Sequence, residues 1–347
     1  MPGEEIFTTL VVKEVIEEVE GFKIFSFEDG HGIHYSSGQY LTFIRNINGV
    51  EHRRSYSITS SPHLHEPLSV GVKRIPNGLF SRYFTDTISA GDHLTTSGAG
   101  GLFVLPPDIH SIHQLFFLAA GSGITPIYSL MKTALHMYPH LSIVLVYSNS
   151  TPSKTIFLDE ISALEEQFKG RLVVQWLFSD SKDLSKARLH ADFLIRMVKQ
   201  LVTRQDGVLF YICGPESYMR MCTYVLQQEG VDGEQIRKEN FVVHSNKARQ
   251  LLPPDRDSHK VFIDMPGQRY EVNVDYPDSI LKAARKHGIM LPYSCEAGSC
   301  GSCAARKVHG RIWHSSNEVL TEKDLENGLV LTCTAHPVGG DVVLQMR

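Results

Sequence analysis

The hydrophobic rhythm of the chain changes twice. From residue 6 to about 105, apolar residues fall in short runs: "TTLVVKEVIEEV", "FKIFSFE", "QYLTFIRNI", "RSYSITS", "LSVGVKRI" and "DHLTTSG". Gly, Pro, Asn and Asp separate them. Many short strands with such turns predict a small antiparallel β-barrel or sandwich. Near residue 113 strand-like runs begin to alternate with helical ones. "HQLFFLAA", "LSIVLVYS", "RLVVQWLFS" and "GVLFYICG" read as buried strands. "ITPIYSLMKTALHMY", "FLDEISALEEQF", "ARLHADFLIRMVKQLV" and "PESYMRMCTYVLQQEG" read as helices. That alternation predicts a parallel sheet with crossover helices. A polar stretch with a Pro-Pro pair follows and reads as a linker. Beyond it, "KVFIDMPGQRYEVNV" predicts a β-hairpin and "SILKAARKHG" a helix. The expected division is a β-barrel domain at 1–108, an α/β domain at 109–243, a linker at 244–259 and a small α+β module at 260–347.

Composition narrows the class. A length of 347 residues suits two or three domains. A net charge of -4 leaves no basic footprint for nucleic acid. The start of the chain lacks a charged and apolar leader pattern, and no apolar stretch approaches ~18 residues. The expectation is a cytoplasmic protein with no membrane span. The 17 histidines invite metal readings, but "PHLHEP" is a Pro-flanked loop with no third ligand nearby and reads as a solvated turn.

Four of the six cysteines change the picture. "PYSCEAGSCGSC" places Cys295, Cys300 and Cys303 in one loop, and Cys333 follows in "LVLTCTA", read as a strand. A reducing compartment favours metal ligation over disulfides. Zinc sites pair their ligands in knuckles or with histidines, whereas three cysteines from one loop and a fourth from far downstream is the plant-type [2Fe-2S] spacing. Gly298, Ser299, Gly301 and Ser302 are small enough to let backbone N–H groups turn toward sulfur. Residues 260–347 resemble a plant-type ferredoxin domain of β-grasp type. That resemblance implies Cys295, Cys300, Cys303 and Cys333 as the cluster ligands.

A [2Fe-2S] cluster takes single electrons, whereas a nicotinamide delivers two as a hydride. A flavin splits the pair, so flavin and nicotinamide sites are expected upstream. In "RRSYSITSS", Arg54 and Tyr56 share one side of a strand. A guanidinium there can grip a phosphate and a tyrosine can lie on a flavin ring. Arg54-x-Tyr56-Ser57 resembles the flavin motif of the ferredoxin–NADP reductase family, which implies that Ser57 serves flavin N5. "VKRIPNGLFSRYF" extends the resemblance with Lys73 and with Gly78, Leu79, Phe80 and Ser81, at a loop-to-helix junction suited to a pyrophosphate. "SGAGGLFVLPP" looks more like the FAD type than the FMN type.

"LAAGSGITP" places Gly121, Ser122, Gly123, Thr125 and Pro126 at the first strand–helix turn of the alternating segment, where a dinucleotide phosphate binds. Pro126 is expected to open the helix. Cys213, Gly214 and Pro215 match the family's C-G-P element, implying that Cys213 lies near the nicotinamide. Cys222 reads as helix core. In dinucleotide folds the second strand's end chooses between NADH and NADPH. Here "YSNSTPSK" offers hydroxyls, Ser150 among them, and Lys154, so NADPH preference is expected over NADH. The whole chain resembles a ferredoxin–NADP reductase-type module with a C-terminal ferredoxin domain, the order found in electron-transfer components of bacterial oxygenases. The resemblance implies FAD, NAD(P)H, a [2Fe-2S] cluster and a separate oxygenase, epoxidase or desaturase as acceptor, with Ser57 and Cys213 as the catalytic pair. The alternative function is a non-catalytic redox sensor.

Overall fold

The computed structural model describes residues 7–183, 187–204, 206–241 and 251–346. It forms two compact units, Met1–Glu239 and Asn240–Arg347.

The first unit opens with six antiparallel strands. They are β1 (Thr8–Val19), β2 (Phe22–Phe27), β3 (Tyr40–Ile47), β4 (Val50–Ser57), β5 (Ser69–Lys73) and β6 (His93–Gly100), in spatial order β4-β3-β6-β1-β2-β5. An antiparallel bridge from Ile58 to Val70 ties the β4 end of this sheet back to β5, so it curls into a barrel. Period-two alternation sends Leu10, Phe25, Phe27, Leu41 and Phe43 inward. Helix α1 (Leu79–Thr87) plugs the barrel with Phe80 and Phe84.

The rest of this unit is the expected parallel sheet. Its strands are β7 (Gln114–Ala120), β8 (Ser142–Asn149), β9 (Leu172–Phe178), β10 (Val208–Cys213) and β11 (Ile236–Glu239), in order β11-β10-β7-β8-β9. Both faces are covered, which is why the strands read as continuous apolar runs. Leu115, Phe117 and Ala119 of β7 pack on one side under α2 (Ile124–Met137) and α3 (Leu158–Gln167). Phe116 and Leu118 pack on the other under α4 (Ala191–Leu201) and α5 (Glu216–Gln228), where Cys222 is core as expected.

The second unit contains the hairpin β12 (His259–Met265) and β13 (Gln268–Val274), helix α6 (Ile280–Lys286), β14 (Ala304–His309), β15 (Ile312–His314), helix α7 (Glu322–Glu326), β16 (Leu329–Leu331), β17 (Ala335–Pro337) and β18 (Val342–Met346). Five of the strands form one mixed sheet, β13-β12-β18-β14-β16. Of the expected linker, residues 244–250 lie outside the described residues.

Three local expectations are corrected. Helix α2 starts at Ile124, so Pro126 is its third residue and does not open it; the first-turn N–H groups need no intrahelical acceptor, and Pro fits there. Helix α4 starts only at Ala191, because His190 caps it by accepting from the N–H of Phe193. Cys333 sits in the turn after β16 rather than within a strand. Among the described residues no helix is long and apolar enough to cross a membrane.

Candidate functional site

Strand β4 ends at a buried polar meeting point. Ser57 is 3% exposed, and its Oγ donates to Oε2 of Glu239 over 3.2 Å. Glu239 closes β11, and parallel pairing sets it opposite Cys213 at the end of β10. The two catalytic candidates from the sequence, Ser57 and Cys213, therefore meet through a carboxylate that sequence reading missed. Burial pushes the Glu239 carboxyl up to about 8, although the Ser57 hydrogen bond pulls it down. At neutral pH this carboxyl holds a proton. Burial first, and the Glu239 carboxylate second, push the Cys213 thiol well above its ordinary range. A buried thiol kept neutral in this way suits apolar contact better than nucleophilic attack.

The other flavin candidates line the same barrel edge. Tyr56 packs on Phe84 at 5.2 Å and on Phe80 at 6.4 Å between ring centroids. Burial raises its phenol, and the Arg54 charge reaches it from two residues away. Arg54 itself is exposed, and its Nη1 donates to the Arg53 carbonyl over 2.6 Å. Its fork is thus open to an anion. Lys73 is exposed at the end of β5. Gly78 is the N-cap of α1 and has no side-chain cap, so the first-turn N–H groups of Leu79, Phe80 and Ser81 lack intrahelical acceptors. A Cβ at Gly78 would collide with Ser81 Oγ, which accepts from the Ile75 N–H over 3.1 Å and staples the loop. An exposed guanidinium, an uncapped helix start and a tyrosine on one edge fit a group that carries a ring and a pyrophosphate.

The dinucleotide loop is shaped by close approach. Gly121 has φ +53°, and Gly121–Gly123 makes one 3-10 turn before α2. A Cβ at Gly123 would collide with the Cys213 carbonyl, so glycine is required there. A Cβ at Gly214 would meet that of Ala120 at 2.9 Å. Thr125 Oγ1 donates to the Ser122 carbonyl at 2.9 Å, and Pro215 is the N-cap of α5. The loops after β7 and β10 thus interlock beneath the N-terminus of a 14-residue helix. This donor set fits a dinucleotide phosphate.

Ser150 and Lys154 are both exposed, Lys154 on a 3-10 turn. The fold adds a neighbour that the sequence does not announce. The N–H of Asp180, just past β9, donates to the Ser150 carbonyl at 3.2 Å. A carboxylate therefore shares this loop cluster with Lys154.

In the second unit the four cysteines come together. The sulfur of Cys295 lies within hydrogen-bonding reach of those of Cys300 and Cys333, and Cys333 within reach of Cys303. Backbone N–H groups point at sulfur, Ala297 to Cys295 at 3.4 Å and Ser302 to Cys300 at 3.5 Å. Three cysteines from one loop and a fourth from the turn after β16 give the plant-type two-iron arrangement. Cys295 and Cys300 are half-buried, whereas Cys303 and Cys333 are buried, so one end of the group faces solvent.

Comparison with known proteins agrees with this layout. Residues 8–105 match an oxidoreductase FAD-binding domain, 117–224 an oxidoreductase NAD-binding domain and 263–338 a 2Fe-2S iron-sulfur cluster binding domain. The chain is 31% identical over 314 residues to a component of the 1,2-phenylacetyl-CoA epoxidase of Escherichia coli K12, covering 89% of this chain and 88% of that one. The solved phthalate dioxygenase reductase, described as a modular structure for electron transfer from pyridine nucleotides to [2Fe-2S], has a TM-score of 0.60. That match is 24% identical and covers 98% of both chains. An intact type IV self-sufficient cytochrome P450 monooxygenase gives a TM-score of 0.71 at 20% identity and 98% coverage of this chain, which spans 41% of that protein's length.

Proposed function

Because the chain belongs to the family of oxygenase reductase components that join an FAD-binding, an NAD-binding and a 2Fe-2S domain, we propose that it takes a hydride from NADPH or NADH and delivers single electrons to a separate oxygenase, epoxidase or desaturase. FAD, when bound, would supply the conversion of an electron pair to single electrons, and a [2Fe-2S] cluster would supply a one-electron carrier. FAD rather than FMN follows from the FAD-binding domain. Arg54, Lys73 and the start of α1 hold the pyrophosphate, and Tyr56 supports the ring. Gly121, Ser122, Gly123, Thr125 and Pro126 receive the nicotinamide dinucleotide, with Gly214 and Pro215 behind them. Cys213 offers the nicotinamide an uncharged, apolar contact. Cys295, Cys300, Cys303 and Cys333 ligate the cluster. We keep the domain division 1–108, 109–243, 244–259 and 260–347. We place the protein in the cytoplasm, where thiols stay reduced for cluster ligation.

The observation that carries the reading is the Ser57–Glu239 bond with Cys213 paired to Glu239. It joins the strand of the flavin motif to the strand ends of the nucleotide sheet, so the two sites open on one place. Ser57 presents a hydroxyl there, and Glu239 keeps a proton on its carboxyl at neutral pH.

Cys300→Ser tests the order of carriers. The variant is expected to keep NAD(P)H-dependent flavin bleaching and to lose delivery to a one-electron acceptor such as cytochrome c. Equal loss of both would overturn the order. Wild-type protein that reduces no dye with either nicotinamide would overturn the function.

A further inference from the structure

One face of α2 carries a polar seam that neither the flavin site nor the dinucleotide loop uses. Ser129, Lys132 and Thr133 lie three and four residues apart and so share a side of the helix. All are buried, at 0%, 7% and 3% exposure. Ser129 Oγ donates to the Ser60 carbonyl over 2.6 Å. Thr133 Oγ1 meets Ser61 Oγ at 2.6 Å and Ser37 Oγ at 2.5 Å. Lys132 Nζ donates to both oxygens of Glu66, at 2.6 and 2.7 Å, and lies 4.5 Å from the Tyr128 ring centroid. Glu66 also accepts from the Ser61 N–H. The far side of the seam is the segment that leaves β4 directly after Ser57. The near side is the helix that begins directly after Gly121–Gly123.

An ion pair whose lysine is buried but whose Glu66 side chain stays 32% exposed contributes little to stability by itself. Apolar contacts are also non-directional and let a helix slide along its neighbour, whereas these hydrogen bonds each specify one register. Hydride transfer needs the reacting atoms about 3–3.5 Å apart, and a misplacement of about 1 Å costs on the order of 100-fold. We propose that Lys132, through Glu66 and Ser61, is a positioning residue that holds the end of the flavin strand and the dinucleotide helix in the register hydride transfer requires. This rests on the flavin–nicotinamide reading of those two sites.

Lys132→Met keeps the apolar stem and removes the ammonium. In single-turnover experiments with the FAD-loaded protein, flavin reduction at saturating NADPH or NADH is expected to slow about tenfold to 100-fold. The nicotinamide dissociation constant should move less than about threefold, and the long-wavelength charge-transfer absorbance of the nicotinamide–flavin complex should weaken. In flavin-free protein, amide exchange is expected to quicken together in residues 58–61 and 121–125 and not in the 2Fe-2S unit. Ser129→Ala, which removes one hydrogen bond and leaves the ion pair, should shift the same readouts in the same direction by less. It keeps the test open should Lys132→Met not fold. A lower melting temperature with unchanged hydride transfer, absorbance and local exchange would mean that the seam only stabilises, and would overturn the proposal. Failure of the wild type to reduce its flavin with either nicotinamide would instead overturn the underlying functional reading.

Discussion

Ser57 and Glu239 are 182 residues apart in sequence and share one hydrogen bond of 3.2 Å inside the fold. The hydroxyl belongs to the flavin motif and the carboxyl to the last strand of the nucleotide sheet. A carboxyl that ionises only at about 8 keeps a proton beside that hydroxyl through the neutral range. Glu239→Gln is expected to slow flavin reduction by about 100-fold, the lower end of what a placed proton donor contributes. The wild-type rate should fall as pH passes about 8, and the variant should lose that break. Rapid-mixing absorbance across pH 6 to 9.5 reads both. Ser57→Ala should slow the same step while FAD content stays near wild type.

The same carboxyl makes stability depend on pH. Its folded value is raised from 4.5 to about 8. Between those values the folded state binds a proton that the unfolded state has released, so this group's contribution favours folding at low pH and declines as pH rises from about 4.5 to 8. Above about 8 both states are ionised and the decline ends. Glu239→Gln is expected to flatten the melting temperature over that window and to exceed wild type at pH 8.5. Calorimetry at several pH values checks it; a steeper decline in the variant would contradict the burial argument.

Gly123 lies where the chain has no room for a side chain. Gly123→Ala drives a methyl into the Cys213 carbonyl, which is strand backbone and cannot swing away. Overpacking of this kind costs about 1–3 kcal/mol. The displaced strand end carries both Cys213 and its pairing to Glu239. Nicotinamide-dependent flavin reduction is expected to drop about fivefold to 150-fold, the rate equivalent of that energy. Bound FAD and the visible spectrum of the cluster should be retained. Loss of both cofactors along with the activity would show a wider role for this glycine.

We propose that nicotinamide choice turns on two exposed charges in one loop cluster: Lys154 would favour a 2′-phosphate, and Asp180, whose N–H donates to the Ser150 carbonyl, would disfavour one. Lys154→Ala is expected to lower kcat/KM for NADPH, and Asp180→Asn to raise it. Each change should be about fivefold or less, since an exposed charge pair contributes about 0–1 kcal/mol. NADH values should stay nearly constant in the first variant and fall in the second. Steady-state kinetics with both nicotinamides reads the ratio, and identical shifts for the two would rule the cluster out of specificity.

Local pattern alone determined a great deal of this protein. Period-two runs announced the barrel, alternation of strand and helix announced the parallel sheet, and the C-x4-C-x2-C spacing announced the cluster, because each is encoded within a few neighbouring residues. Glu239 was not legible. In "IRKENF" it is one charged residue among several, and only pairing of β11 with β10 sets it beside Cys213 and under Ser57. Asp180 stayed hidden for the same reason, since its neighbour Ser150 belongs to the preceding strand's loop. In "ITPIYSLMKTALHMY" the residues Ser129, Lys132 and Thr133 are polar positions of a helix whose partners the sequence does not name, and the fold buries them against the segment that follows β4. Hydrophobic periodicity reports which side of an element avoids water. It is silent on which distant polar group will satisfy a buried one, and that is decided only when the barrel and the nucleotide sheet close on each other and exclude water between them.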